Sequence, residues 1–179
     1  MKKIAIALLA TSLVITVGSC RKRKLNRDTT TSIDVSIIEG GFNDVQKVSE
    51  DAIKEEELEG KAGGGFRDIY GSPTVTVTPA WPDTTFPKTI NIDFGAGTED
   101  WLGRIRKGEI DIVATGMYKD SGAVFTITPS NYFVDDYKIE GVKTVSNKGR
   151  NGAGNLNFDI DIANGRVTTP DGETATWES

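Results

Sequence analysis

Leu156-Asn157-Phe158-Asp159-Ile160-Asp161-Ile162 alternates apolar and polar side chains without a slip. An extended chain turns successive side chains to opposite faces, so this stretch reads as a strand with one face in a core and one in water. The same beat runs through Thr74-Val75-Thr76-Val77-Thr78, Ile90-Asn91-Ile92-Asp93-Phe94, Ile110-Asp111-Ile112 and Phe125-Thr126-Ile127-Thr128. Turn chemistry falls among these runs at Asp120-Ser121-Gly122, Asp135-Asp136, Asn151-Gly152, Asn164-Gly165 and Asp171-Gly172. Asn-Gly and Asp-Gly pairs accept the positive φ angles of tight hairpins. With short connections and no helical pattern between the runs, residues 73–179 predict an antiparallel β meander, closing as a sandwich or an open barrel. The last strand, Thr174-Ala175-Thr176-Trp177, stands almost at the end of the sequence and leaves an edge that has to be covered or twisted away.

Upstream the period changes. Phe42, Val45, Val48, Ala52 and Ile53 recur at spacings of three and four, with Glu50, Asp51, Lys54, Glu55, Glu56 and Glu57 between and after them. That pattern predicts one N-terminal amphipathic helix over 42–59, preceded by Gly40-Gly41. Its acidic C-terminal end opposes the helix dipole, which predicts fraying beyond Lys54. Gly60, Gly63, Gly64, Gly65 and Gly71 make 60–72 a linker, with a domain boundary near Ser72; no Lys-Ser or Lys-Thr follows to make it a phosphate loop. Residues 20–41, polar and Thr-rich from Asn26 to Ser32, read as a flexible tether.

The chain has 179 residues, 37% of them apolar, and a net charge of −5. That is one small domain with appendages, and an acidic one that would not seek nucleic acid. There is no histidine and a single cysteine, Cys20, which removes histidine-dependent triads, histidine-rich and four-cysteine zinc sites and internal disulfides. No motif for a cofactor or a metal is present.

Met1-Lys2-Lys3 and the apolar stretch from Ile4 to Val17 have the form of a secretory signal over 1–19, too short for a comfortable membrane span. Val17-Gly18-Ser19-Cys20 resembles the lipobox of bacterial lipoproteins, which implies cleavage before Cys20 and acylation of that residue. The resemblance makes the lipid bilayer a partner through Cys20. Arg21 in place of Asp implies, by the sorting pattern of such proteins, the outer membrane, and Arg21-Lys22-Arg23-Lys24 stands beside the head groups. Farther along, the succession Phe86 to Gly95, Gly103 to Gly108, Tyr137 to Val145 and Asp171 to Trp177 resembles uncharacterised lipoproteins of Gram-negative bacteria with a C-terminal all-β domain. That resemblance implies a fold and a location in the cell envelope and carries over no catalytic residue.

Paired carboxylates are the remaining catalytic chemistry: Asp159 with Asp161 on one strand, and Asp93, Glu109 and Asp111 on others. Alternation puts them all on the solvent face, where nothing raises an acid's pKa, so a glycoside hydrolase is the least favoured reading. Asp135-Asp136, or Asp159 with Asp161, offer hard oxygens to calcium but outside any EF-hand pattern. Trp81, between Ala80 and Pro82, and Trp101, beside Asp100, are the tryptophans expected to be exposed and able to stack on a sugar ring. Arg104 and Arg106 share a strand face and can grip an anionic partner. The expectation is a non-catalytic structural or interaction module of the envelope, with a glycan or a protein as its partner.

Overall fold

The computed structural model of the chain describes residues 30–58 and 65–177. The signal segment 1–19, Cys20 with the basic run behind it, and Gly60, Gly63 and Gly64 lie outside the described residues. Eight strands form one antiparallel sheet: β1 (Thr74–Thr78), β2 (Lys88–Asp93), β3 (Thr98–Glu99), β4 (Ile105–Ala114), β5 (Val124–Val134), β6 (Tyr137–Arg150), β7 (Leu156–Thr168) and β8 (Thr174–Trp177). The order β1-β2-β4-β5-β6-β7-β8 is a meander, with short β3 pairing on β4. The sheet does not close into a barrel, and where a sandwich would have its second layer there is a helix.

The expected beat places the residues. Ile90, Ile92, Ile110, Ile112, Phe125, Ile127, Ile139, Val145 and Val167 are buried on one face, and their polar neighbours look out. One irregularity resets the phase. Between Ile127 and Tyr132 the β5–β6 register shifts, and β5 also slips against β4 opposite Gly108. Asn131 there has φ 45° and Gly108 has φ 79°; a Cβ on Gly108 would stand 2.0 Å from the Asn131 carbonyl oxygen. A bulge of this kind turns the strand over. Continuing the beat of Phe125 and Ile127 would bury Phe133; instead Tyr132 is fully buried and Phe133 half-buried on the outside.

The helix is longer than its apolar stripe. Helix α1 spans Thr30–Leu58, so it begins inside the segment read as a tether and runs through Gly40-Gly41. The reason is contact: a Cβ on Gly41 would come within 3.0 Å of Ile139 Cδ1 and 3.4 Å of Val167 Cγ2, so a glycine lets the helix axis approach the sheet closely. The expected fraying beyond Lys54 does not occur either. Glu55 accepts from the Phe66 amide (2.7 Å) and Glu57 from the Tyr118 amide, so carboxylates that oppose the dipole are held by donors outside the helix. Burial raises the Glu57 carboxyl above its ordinary value despite that bond. The Gly-rich linker contains helix α2, Gly65–Tyr70, whose Phe66 and Tyr70 join Phe42, Val45, Val48, Ala52 and Ile53 of α1 and the sheet in one apolar cluster. Helices and sheet share a core. No helix among the described residues is long and apolar enough to cross a membrane.

The two neighbouring glycines of α1 separate propensity from packing. Gly40 has nothing within 4 Å of a Cβ position, so Gly40→Ala should stabilise the fold by about 0.5–1 kcal/mol. Gly41→Val, driven into Ile139, should destabilise it by about 1–3 kcal/mol in urea unfolding.

Candidate functional site

The centre of the interface between α1 and the sheet is polar. Arg106 follows the inward phase of Ile110 and Ile112 on β4, and its guanidinium is wholly buried. It donates to both oxygens of Asp44 on α1, Nη2 to Oδ1 at 2.6 Å and Nε to Oδ2 at 3.2 Å, and through Nη1 to Asp100 Oδ2 at 2.8 Å. Arg104 donates through Nε to the same Asp100 oxygen (2.9 Å) and through Nη1 to Asp44 Oδ1 (3.3 Å). The inverted phase of β5 brings in Tyr132, whose hydroxyl donates to Asp44 Oδ2 at 2.8 Å. Below the guanidinium lies the Tyr70 ring, 5.1 Å from the Arg106 Cζ, with the Tyr70 hydroxyl donating to Asp51 of α1.

Two arginines and two carboxylates balance in charge, and nearly every lone pair is used. Asp100 Oδ1 accepts the amides of Leu102 (2.8 Å) and Arg104 (2.9 Å), which also shapes the tight turn between β3 and β4. Burial alone would raise the Asp100 carboxyl, yet the Arg106 guanidinium, those two amides and the Arg104 side chain hold it down at about 2. Burial would lower Arg106, but Asp44 and Asp100 raise it above its ordinary value. Burial and the Asp44 charge push the Tyr132 phenol up.

The two arginines therefore do share a face and do grip carboxylates, but the carboxylates belong to the chain itself. Arg106 is sealed, and Arg104 alone keeps an exposed flank. Asp44 is a residue the sequence reading did not single out, although a signal was there: it lies three residues after Gly41 and four before Val48, on the apolar side of α1, where a solvated acid has no place.

The aromatic pair is not brought together. Trp81 sits in the β1–β2 loop with its ring 4.2 Å from the ammonium of buried Lys88, which also donates to the carbonyls of Pro79 (2.8 Å) and Asp83 (2.5 Å). Trp81 is thus one wall of a lysine cage. Trp101, 70% exposed, is at the β3–β4 turn. Lys88 is opposite Ala114, at the far end of β4 from Ile105, so the two tryptophans are separated by a strand length of roughly 30 Å.

Among the acids, Asp93, Glu109 and Asp111 do gather, on the outer face of β2 and β4, where the Asn91 amide donates to both Glu109 (2.9 Å) and Asp111 (2.8 Å). Asp159 pairs with Lys148, Asp136 with Lys107, and Asp135 accepts from the Ile105 amide, so these are tied into the surface. Among the described residues no group of three or more acidic or cysteine side chains is arranged to hold a metal ion.

Fold and site together define a β-meander protein that clasps a single helix through a buried ion-pair network. No family model, curated protein or solved structure matches the chain.

The network makes acid stability specific. A carboxyl depressed to about 2 contributes stability above the ordinary carboxylate range, which is lost as pH falls from about 4 to about 2. In Asp100→Asn that fall should flatten, and denaturant unfolding at pH 7 should show a loss of about 3 kcal/mol because Arg106 keeps one partner fewer in a buried place. Tyr132→Phe, which leaves Asp44 its guanidinium bonds, should lose only about 1 kcal/mol.

Proposed function

We propose that this chain is a lipid-anchored, non-catalytic interaction module of the bacterial cell envelope, held at the outer membrane by acylated Cys20. The lipobox resemblance supplies the anchor, and one observation from the fold carries the rest. Gly41 of α1 lies against Ile139 and Val167, while Glu57 reaches the Tyr118 amide in the β4–β5 loop. The N-terminal end of α1, to which Cys20 leads, therefore points to the end of the sheet that bears the β3–β4 turn. At that turn Trp101 and Leu102 are 70% and 59% exposed, beside exposed Ile69 and Ile105.

The reach of the chain allows anchor and turn to act together. From Gly41 back to Thr30 the helix extends about 16 Å, and the segment from Thr30 back to Cys20 can span up to about 33 Å. An acyl chain in the bilayer is thus compatible with Trp101 and Leu102 resting at its surface, where tryptophan is favoured. Burial of Arg106 and the separation of Trp81 from Trp101 weigh against an anion-gripping strand face and a two-tryptophan sugar platform.

The test has two parts. The full chain should incorporate an alkyne-tagged fatty acid in Gram-negative cells, and Cys20→Ala should lose the label and keep the uncut signal by mass spectrometry; a labelled variant overturns the anchor. Reconstituted in vesicles of brominated phosphatidylcholine, the acylated chain should show tryptophan quenching that falls by more than half in Trp101→Phe. Unchanged quenching overturns the membrane-facing turn.

A further inference from the structure

Lys143 occupies an inward position of β6 between Ile139 and Val145, with Ile127 and Ile162 as its neighbours in the ladders on either side. It is 97% buried, yet among the described residues its ammonium has as hydrogen-bond partner the Phe42 carbonyl of α1, at 3.5 Å. Among the described residues no carboxylate pairs with it. An ammonium taken out of water with one long hydrogen bond is costly, and a leucine would fill the same place at no such cost.

Lys143 is on the wall of a groove of about 400 Å³ between α1 and the β6-β7-β8 end of the sheet. Phe42, Ile160, Ile162 and Trp177 give the groove apolar walls, and Glu39, Asn43 and Gln46 line its α1 side. Trp177 brings a second donor, since its Nε1 is buried and has no hydrogen-bond partner among the described residues. Ile160, otherwise an oddity as a 44% exposed apolar residue in the inward phase of β7, is part of the same wall. Two donors short of acceptors beside apolar walls specify the complement: acceptor oxygens with negative charge at one end and hydrocarbon at the other. Glu39 is exposed at the rim and Glu50 acts on Lys143 only through its field, so neither takes the place of a counter-ion.

We propose that this groove binds a single-chain amphiphile with an anionic head, the head against Lys143 and the chain along Phe42, Ile160, Ile162 and Trp177. The site is independent of the anchor, because its residues all lie in the folded domain and none depends on Cys20.

A photoreactive test uses the full chain in phosphatidylcholine vesicles, supplied with either a diazirine-tagged fatty acid or the matching fatty alcohol, with the cross-linked residues read by mass spectrometry. The acid should label β7 and β8 around Ile160, Ile162 and Trp177 at least tenfold more than the alcohol. Lys143→Met, which keeps the stem and deletes the charge, should bring the acid down to the alcohol's level. Ile160→Glu, a change at an exposed position, should reduce the acid's labelling by a similar factor. Equal labelling by acid and alcohol, labelling unaffected by Lys143→Met, or cross-links confined to other surfaces would overturn the proposal. A diazirine-tagged phosphatidic acid distinguishes the source: labelling below that of the free acid supports a single-chain ligand, and stronger labelling overturns it in favour of a two-chain lipid. Thermal unfolding completes the test, because relief of the buried charge should leave Lys143→Met at least as stable as the parent. A lower melting temperature would overturn the reading by giving the amine a structural role.

Discussion

The bidentate pair between Asp44 and Arg106 is the constraint on which the rest of the architecture depends. An open antiparallel sheet of this kind has one apolar face and needs a second layer, and α1 supplies it. Apolar contact alone would let a helix slide or rotate on that face, since burial is not directional. A buried guanidinium facing a buried carboxylate permits one position only, because any other leaves a charge without its partner. The other members of the network follow from that: the Asp100 turn presents Arg104 and Arg106, the β5 bulge supplies the Tyr132 hydroxyl, and α2 places an aromatic ring beneath.

This arrangement also explains why the most obvious candidates for ligand binding are not one surface. Arg106 is occupied by the fold, Trp81 by Lys88, and the acids of β4 by Asn91. What remains unspent is of two kinds. An apolar turn projects at the end of the sheet to which the N-terminus of α1 points, and a lysine is buried in a groove with no carboxylate paired to it among the described residues. The contrast between Arg106 and Lys143 is instructive: both are cations in the inward phase of a strand, but one meets two carboxylates and the other a single distant carbonyl.

Much of the sheet was legible because alternation is a direct image of burial. The strands about Ile90, Ile110, Phe125 and Leu156 stand where their patterns put them, and the Asp135-Asp136 and Asp171-Gly172 turns lead from β5 to β6 and from β7 to β8. The shared face of Arg104 and Arg106 was visible too, but not that it turns to the chain's own Asp44 and Asp100. Other features rest on contacts distant in sequence. Nothing local marks Asn131 as the place where β5 turns over, because the bulge is fixed by Gly108 on another strand. Nothing local shows that Gly40-Gly41 continue a helix, because the sheet rewards the close approach. The glutamates at the end of α1 look unfavourable until the Phe66 and Tyr118 amides arrive to bind them.

The separation along the chain between Asp44 and Arg106, 62 residues, sets an order of assembly. Sheet contacts in a meander are mostly between neighbours and close cheaply, and the Asp100 turn gathers both arginines within a few residues. The helix is made first in an N-to-C synthesis and can meet α2 early, yet Asp44 has no counter-charge and the apolar stripe no sheet to cover it until β4 and β5 exist. Its docking on the sheet is therefore the late step, and the nascent chain carries an unsheltered amphipathic face through most of its synthesis. A protein of this form is most exposed to its holding factors and its proteases at its first helix, long before its last strand is made.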